Sequence, residues 1–134
     1  MSKIVETFRK KTDKLFIQID GYSAKELEDI VGEQSESKIK DYGLNVIVNE
    51  LILSGSRCRG LEHEGSDLDF VMLFAGNERE DVLFDILNED ENVIGGVKVD
   101  INPINVDKTG SLDEYILRVE DYLEKRELLK KSVR

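Results

Sequence analysis

Two aspartates one residue apart, Asp67 and Asp69, follow a Gly-Ser pair, Gly55-Ser56, across ten intervening residues (57–66). That stretch carries two arginines, Arg57 and Arg59. Side chains alternate across a strand, so Asp67 and Asp69 share one face and Leu68 and Phe70 the other. Two carboxylates this close repel each other, and a packed strand has no need of them. A divalent cation offsets the repulsion, because Mg²⁺ takes oxygen ligands and is commonly held by one or two carboxylates together with substrate phosphates. The Gly-Ser pair suits the phosphate side of such a site. Glycine lets the backbone turn sharply and a ligand come close, and Ser56 offers a hydroxyl and an amide N–H. A short helix beginning at Arg57 would aim further N–H groups at an anion. Arg57 and Arg59 would add charge-assisted contacts. The plain alternative is a strand-to-loop turn whose arginines pair with Glu62 or Glu64, beside aspartates on a solvated sheet face.

A third carboxylate strengthens the first reading. In VKVDINPI, residues 97–104, Val97, Val99 and Ile101 face one way and Lys98, Asp100 and Asn102 the other. If this strand lies beside the one at 66–74, Asp100 joins Asp67 and Asp69. Three carboxylates on adjacent strands would hold two metal ions, which stabilise the attacking and leaving oxygens of a phosphoryl displacement.

The elements that must position these residues are legible from periodicity. Residues 2–14 read as a helix with Ile4, Val5 and Phe8 on one face. LFIQI, 15–19, either extends it or forms a strand. Ser23 and Glu26 make a capping box for a helix carrying Leu27, Ile30 and Val31. A separate helical piece is expected over 35–42, stopped by Gly43. Residues 44–54 read as a strand with a bulge or tight turn at Asn49-Glu50. Strands follow at 66–74 and 97–104, a turn at 75–77, a helix at 78–88, a break at Gly95-Gly96 and a loop at 107–110. Ser111 and Glu114 cap a last helix with Leu112, Tyr115, Ile116, Val119, Tyr122 and Leu123 at helical spacing. The order predicts one α/β (α+β) domain, a mixed sheet flanked by helices. Residues 1–43 are expected to pack as a helical segment on a core formed by 44–134.

Composition bounds the function. The chain has 134 residues, 40% hydrophobic and 36% charged, enough for one domain with a real core. Its net charge of −10 argues against free nucleic acid as a partner, because phosphate neutralisation by a basic face supplies most of that affinity. No run of apolar residues approaches a membrane span. The N-terminal residues lack the apolar core of a secretory signal, which makes the cytoplasm the expected location. The one cysteine, Cys58, excludes an intrachain disulfide and a cysteine-rich zinc site. Its flanking arginines favour a thiolate. A nucleophile would need His63 as base, and nothing nearby supplies a third member; Cys58 reads as a tolerated small residue.

Together, Gly55-Ser56, Asp67-Leu68-Asp69-Phe70 and Val99-Asp100-Ile101 resemble the nucleotidyltransferase superfamily that includes DNA polymerase beta. GSRCRG followed by SDLD is especially similar to the small minimal nucleotidyltransferases of bacteria. The stretch through VKVDINPI and LDEYILRVEDYL also resembles a nucleotidyltransferase-like domain in large multidomain proteins of bacterial mobile elements. The resemblance implies transfer of a nucleoside monophosphate from an NTP (ATP among them) to a hydroxyl of a protein or small-molecule acceptor, with release of pyrophosphate. It implies two Mg²⁺ ions on Asp67, Asp69 and Asp100, with Asp100 also helping to deprotonate the acceptor. Gly55 and Ser56 would hold the triphosphate, and Arg57, Arg59 and Ser66 complete the expected nucleotide-binding set. One position departs from the family pattern: Ser54 stands where a hydrophobic or aromatic residue usually precedes the glycine, which would alter packing under the turn. A second reading keeps the fold without turnover, as a nucleotide-binding or antitoxin-like regulatory module that docks a protein partner through the last helix. A third is a hydrolase or an unrelated metal-binding protein using the same carboxylates.

Overall fold

The computed structural model describes residues 3–63, 65–107 and 111–132. Four helices, α1 (Lys3–Leu15), α2 (Ala24–Asp41), α3 (Glu80–Leu87) and α4 (Leu112–Ser132), surround four strands. These are β1 (Val46–Ser54), β2 (Leu68–Gly76), β3 (Val93–Ile94) and β4 (Val97–Asn105), in the sheet order β1-β2-β4-β3. β2 runs antiparallel to β1 and parallel to β4, so the sheet is mixed as expected. Parallel neighbours need a crossover connection, and α3 lies between β2 and β4 in the chain.

The core forms on the face that Leu53, Phe70 and Ile101 share across three strands. All three are buried, as are Leu68, Met72, Phe74 and Val99. Burying side chains of this size contributes about 1.5–3 kcal/mol each. Helices supply the other wall through Val5 and Phe8 of α1, Leu27, Val31 and Ile39 of α2, Leu83 of α3, and Ile116 and Leu123 of α4.

α2 is one continuous helix rather than two pieces, with the expected capping box: Glu26 N–H donates to Ser23 Oγ (3.2 Å) and Ser23 N–H to Glu26 Oε1 (3.1 Å). Leu27, Val31, Ser35 and Ile39 are buried along it at four-residue spacing, and Ser35 Oγ donates back to Val31 O (2.8 Å). That buried stripe carries the helix through Gly32. LFIQI is neither helix nor strand beyond Leu15; only Ile19 forms an isolated bridge, with Tyr22. The register of β1 shifts between Val48 and Glu50, leaving a bulge at Asn49. β2 begins and ends two residues later than expected, at Leu68 and Gly76. Sequence periodicity missed β3. Gly95 and Gly96, with φ of +57° and +81°, form the two-residue turn that folds β3 back on β4, where both central residues need positive φ. Residues 108–110, and Glu64, lie outside the described residues.

β1 is an edge strand, and an edge leaves backbone groups unpaired. A charged cluster covers this one. Glu28 Oε2 accepts from Leu53 N–H (2.8 Å), and Arg9 Nη2 donates to Leu51 O (2.9 Å). Arg9 also donates to Glu28 Oε1 (2.9 Å) and Glu50 Oε1 (2.6 Å). Glu28 is buried, and desolvation raises its pKa more than the Leu53 N–H and Arg9 lower it. The end of β1, two residues before Gly55, is thereby fixed to α2.

Candidate active site

The row behind the core face carries the candidate site. Ser54, Asp69 and Asp100 are direct partners across β1, β2 and β4. β4 is held in register at this point from outside the sheet. Asn88, the residue that ends α3, accepts from Ile101 N–H at Oδ1 (2.9 Å) and donates from Nδ2 to Ile101 O (2.8 Å). Asp100 is therefore set beside Asp69 by both the strand pairing and a side-chain clamp.

Gly55 shapes the rim. Its φ is +75°, and a Cβ placed there would collide with Asp69 Oδ2. Only glycine combines that backbone with such close approach to a carboxylate. Ser54, buried at 4% exposure, donates from Oγ to Asp69 O (3.4 Å). A polar contact thus lies beneath the turn, at the position where the resemblance implies a hydrophobic residue. Residues Ser56–Arg59 then form one 3₁₀ turn, shorter than the helix considered for an anion site.

Asp69 carries uncompensated charge. Burial, then the charges of Asp100 and Asp67, push its carboxyl up to about 6 from an ordinary 3.8. Asp67 lies just outside β2, near enough to contribute to that shift. Among the described residues, no group of three or more acidic, histidine or cysteine side chains is arranged to hold a metal ion. The donors do fit a hard cation held partly by substrate oxygens, the usual state of Mg²⁺ in phosphate chemistry. They do not form an all-protein cage.

A cleft of about 450 Å³ opens over this row, a volume suited to a small-molecule ligand. Gly55, Asp69 and Asp100 line it on one side, and Tyr115, Arg118, Val119 and Tyr122 of α4 on another. Helical periodicity places the two tyrosines on a buried or partner-docking stripe and does not single out Arg118. The stripe divides in the fold: Ile116 and Leu123 enter the core, whereas Tyr122 is 52% exposed. Residues 115, 118 and 122 recur at helical spacing, a signal that could have separated this face from the buried one.

The two arginines have different surroundings. Arg57 Nε donates to Ser66 O (2.9 Å), while Ser66 Oγ accepts from His63 N–H (3.0 Å); both residues brace the loop between the turn and Asp67. Arg59 departs from the phosphate-binding expectation. Its side chain is 7% exposed and ion-paired with Glu120 of α4. It also donates to Thr12 Oγ1 (2.6 Å) and Phe8 O (3.3 Å) and lies over the Phe8 ring at 4.2 Å. The guanidinium joins α1, α4 and the turn instead of facing the cleft. Neither arginine forms an ion pair with Glu62 among the described residues. Cys58 is fully buried, and desolvation pushes its thiol up to about 12, outweighing Arg59. Its burial and raised pKa both argue against a nucleophilic role.

Compared with known protein families, residues 25–132 match the model described as a nucleotidyltransferase domain. No curated protein matches the chain. No helix among the described residues is long and apolar enough to cross a membrane.

Proposed function

The chain belongs to the nucleotidyltransferase-domain family, and from that premise we propose that it is a Mg²⁺-dependent enzyme. It transfers a nucleoside monophosphate from an NTP to a hydroxyl of a protein or small-molecule acceptor. The observation that carries this reading is the alignment of Asp69 with Asp100 beside the positive-φ Gly55.

Each residue then has a task. Gly55 and Ser56 receive the triphosphate where the backbone leaves room for it. Asp67, Asp69 and Asp100 hold the cation, which when bound neutralises phosphate charge and activates the reacting oxygens. Asp100 accepts the proton of the acceptor hydroxyl. The hydroxyl oxygen forms a bond to the α-phosphorus, the bond from that phosphorus to the bridging oxygen breaks, and pyrophosphate leaves with the electron pair. Arg57 and Ser66 keep the loop between Ser56 and Asp67 in shape. The acidic surface favours a protein or small-molecule acceptor over a polynucleotide.

The test uses NTP labelled at the α-phosphate, Mg²⁺ and pools of protein and small-molecule acceptors. Label should enter an acceptor with equimolar pyrophosphate, and Asp69→Asn should abolish both. Release of inorganic phosphate in place of pyrophosphate would instead indicate a hydrolase.

A further inference from the structure

Arg118 lines the cleft with Gly55, Asp69 and Asp100, yet it forms no salt bridge with any described residue. In a chain with a net charge of −10, an unpaired guanidinium facing two carboxylates calls for an explanation. Two linked contacts connect it to β4. Asn102 is two residues beyond Asp100, on the same face of β4, and donates from Nδ2 to Tyr115 Oη (3.2 Å). The Arg118 guanidinium lies over the Tyr115 ring at 5.7 Å, within cation–π range. The charge is thus held on the α4 wall by a chain that begins beside Asp100, without closing onto Asp69 or Asp100. An anion that itself carries a cation to the carboxylates would satisfy both sides of the cleft. The other two arginines of the region are committed, Arg59 to Glu120 and Arg57 through Nε to Ser66 O.

We propose that Arg118 is a polyphosphate-binding residue, taking non-bridging oxygens of the NTP triphosphate across the cleft from Gly55-Ser56. Its planar fork suits two parallel N–H···O bonds to phosphate. The same contact stabilises the negative charge that pyrophosphate gains as it leaves. This inference rests on the nucleotidyltransferase reading.

Calorimetric titration tests it with two probes, Mg²⁺–ATP and Mg²⁺–tripolyphosphate, on the full chain and on the variants Arg118→Gln and Arg118→Lys. The Arg118 side chain is exposed, so the variants should melt with the wild type. Arg118→Gln should weaken both probes by the same factor, about ten- to a hundredfold, and Arg118→Lys by less. Equal binding of both probes by Arg118→Gln and wild type would overturn the inference and leave the nucleotidyltransferase reading intact. Loss confined to ATP would overturn it too, by assigning Arg118 to the nucleoside. Wild-type protein that binds neither probe would overturn both.

Discussion

Asp69 and Asp100 stand opposite each other on the parallel strands β2 and β4, one row behind the Phe70–Ile101 pair of the core. The pairing puts two like charges side by side, and the fold holds them there through strand register and the Asn88 clamp. Stability is given up at this point, as at sites where a fold holds like charges together.

The cost is visible in the titration of Asp69. Its carboxyl is raised to about 6, first by burial and then by Asp100 and Asp67. Between its ordinary 3.8 and about 6, the folded protein keeps a proton that the unfolded chain releases. Stability therefore falls as pH rises through that window, and the full penalty is present above it. Asp69→Asn should raise the melting temperature at pH 7.5 and leave it nearly unchanged at pH 3.5. Thermal melts at the two pH values check this, and an unchanged or lower melting temperature at pH 7.5 would contradict it.

Gly55→Ala should harm both fold and site. The methyl meets the Asp69 carboxylate, and the backbone is held at φ +75°. A destabilisation of about 1–3 kcal/mol is expected, together with loss of Mg²⁺–nucleotide affinity. Gly65→Ala is the control: its φ is also positive, +88°, but a Cβ there meets nothing within 4 Å. It should cost only the backbone strain. Equal effects of the two substitutions on nucleotide affinity would refute a special role for Gly55.

The Arg59–Glu120 pair joins the turn to α4. Removing one partner leaves the other charge poorly solvated, with only Lys11 left beside Glu120 at 3.3 Å, so Arg59→Met or Glu120→Leu should each destabilise by about 2–4 kcal/mol. The double variant Arg59→Met/Glu120→Leu should recover part of that loss. Urea denaturation of the three variants measures the coupling; strictly additive losses would show that the pair does not act as a unit.

Cys58, buried with its thiol at about 12, should resist alkylation in the native protein at pH 8. It should react within minutes once denaturant exposes it. Rapid native labelling at a single site, followed by mass spectrometry, would contradict the burial.

The parts of this site carried by alternation were legible in the sequence. Asp69 and Asp100 stand among Leu68, Phe70, Val99 and Ile101, and a two-residue period assigns each set its face; Asp67 lies just outside β2, where that period does not reach. The capping box at Ser23 and Glu26 was legible for a similar reason, because both partners are local. Contacts between distant elements left no such trace. Nothing in GSRCRG says that Arg59 meets Glu120, or that Asn88 clamps Ile101, because those partners are chosen by tertiary packing. Arg118 was hidden differently: it sits on a helix whose apolar stripe is wide enough to absorb Tyr115 and Tyr122 into the core reading. The two helical pieces expected over 23–42 are one helix, because Leu27, Val31, Ser35 and Ile39 are buried along a single stripe that only the tertiary packing reveals.

In the proposed function the Gly55-Ser56 turn and the three aspartates form one nucleotide site. A backbone-amide NMR titration with each of the four NTPs, in the presence and absence of Mg²⁺, tests it most directly. Shifts are expected at Gly55, Ser56, Asp67, Asp69 and Asp100 that require Mg²⁺ and rank the four bases. No shifts at these residues at millimolar nucleotide with Mg²⁺ would contradict it.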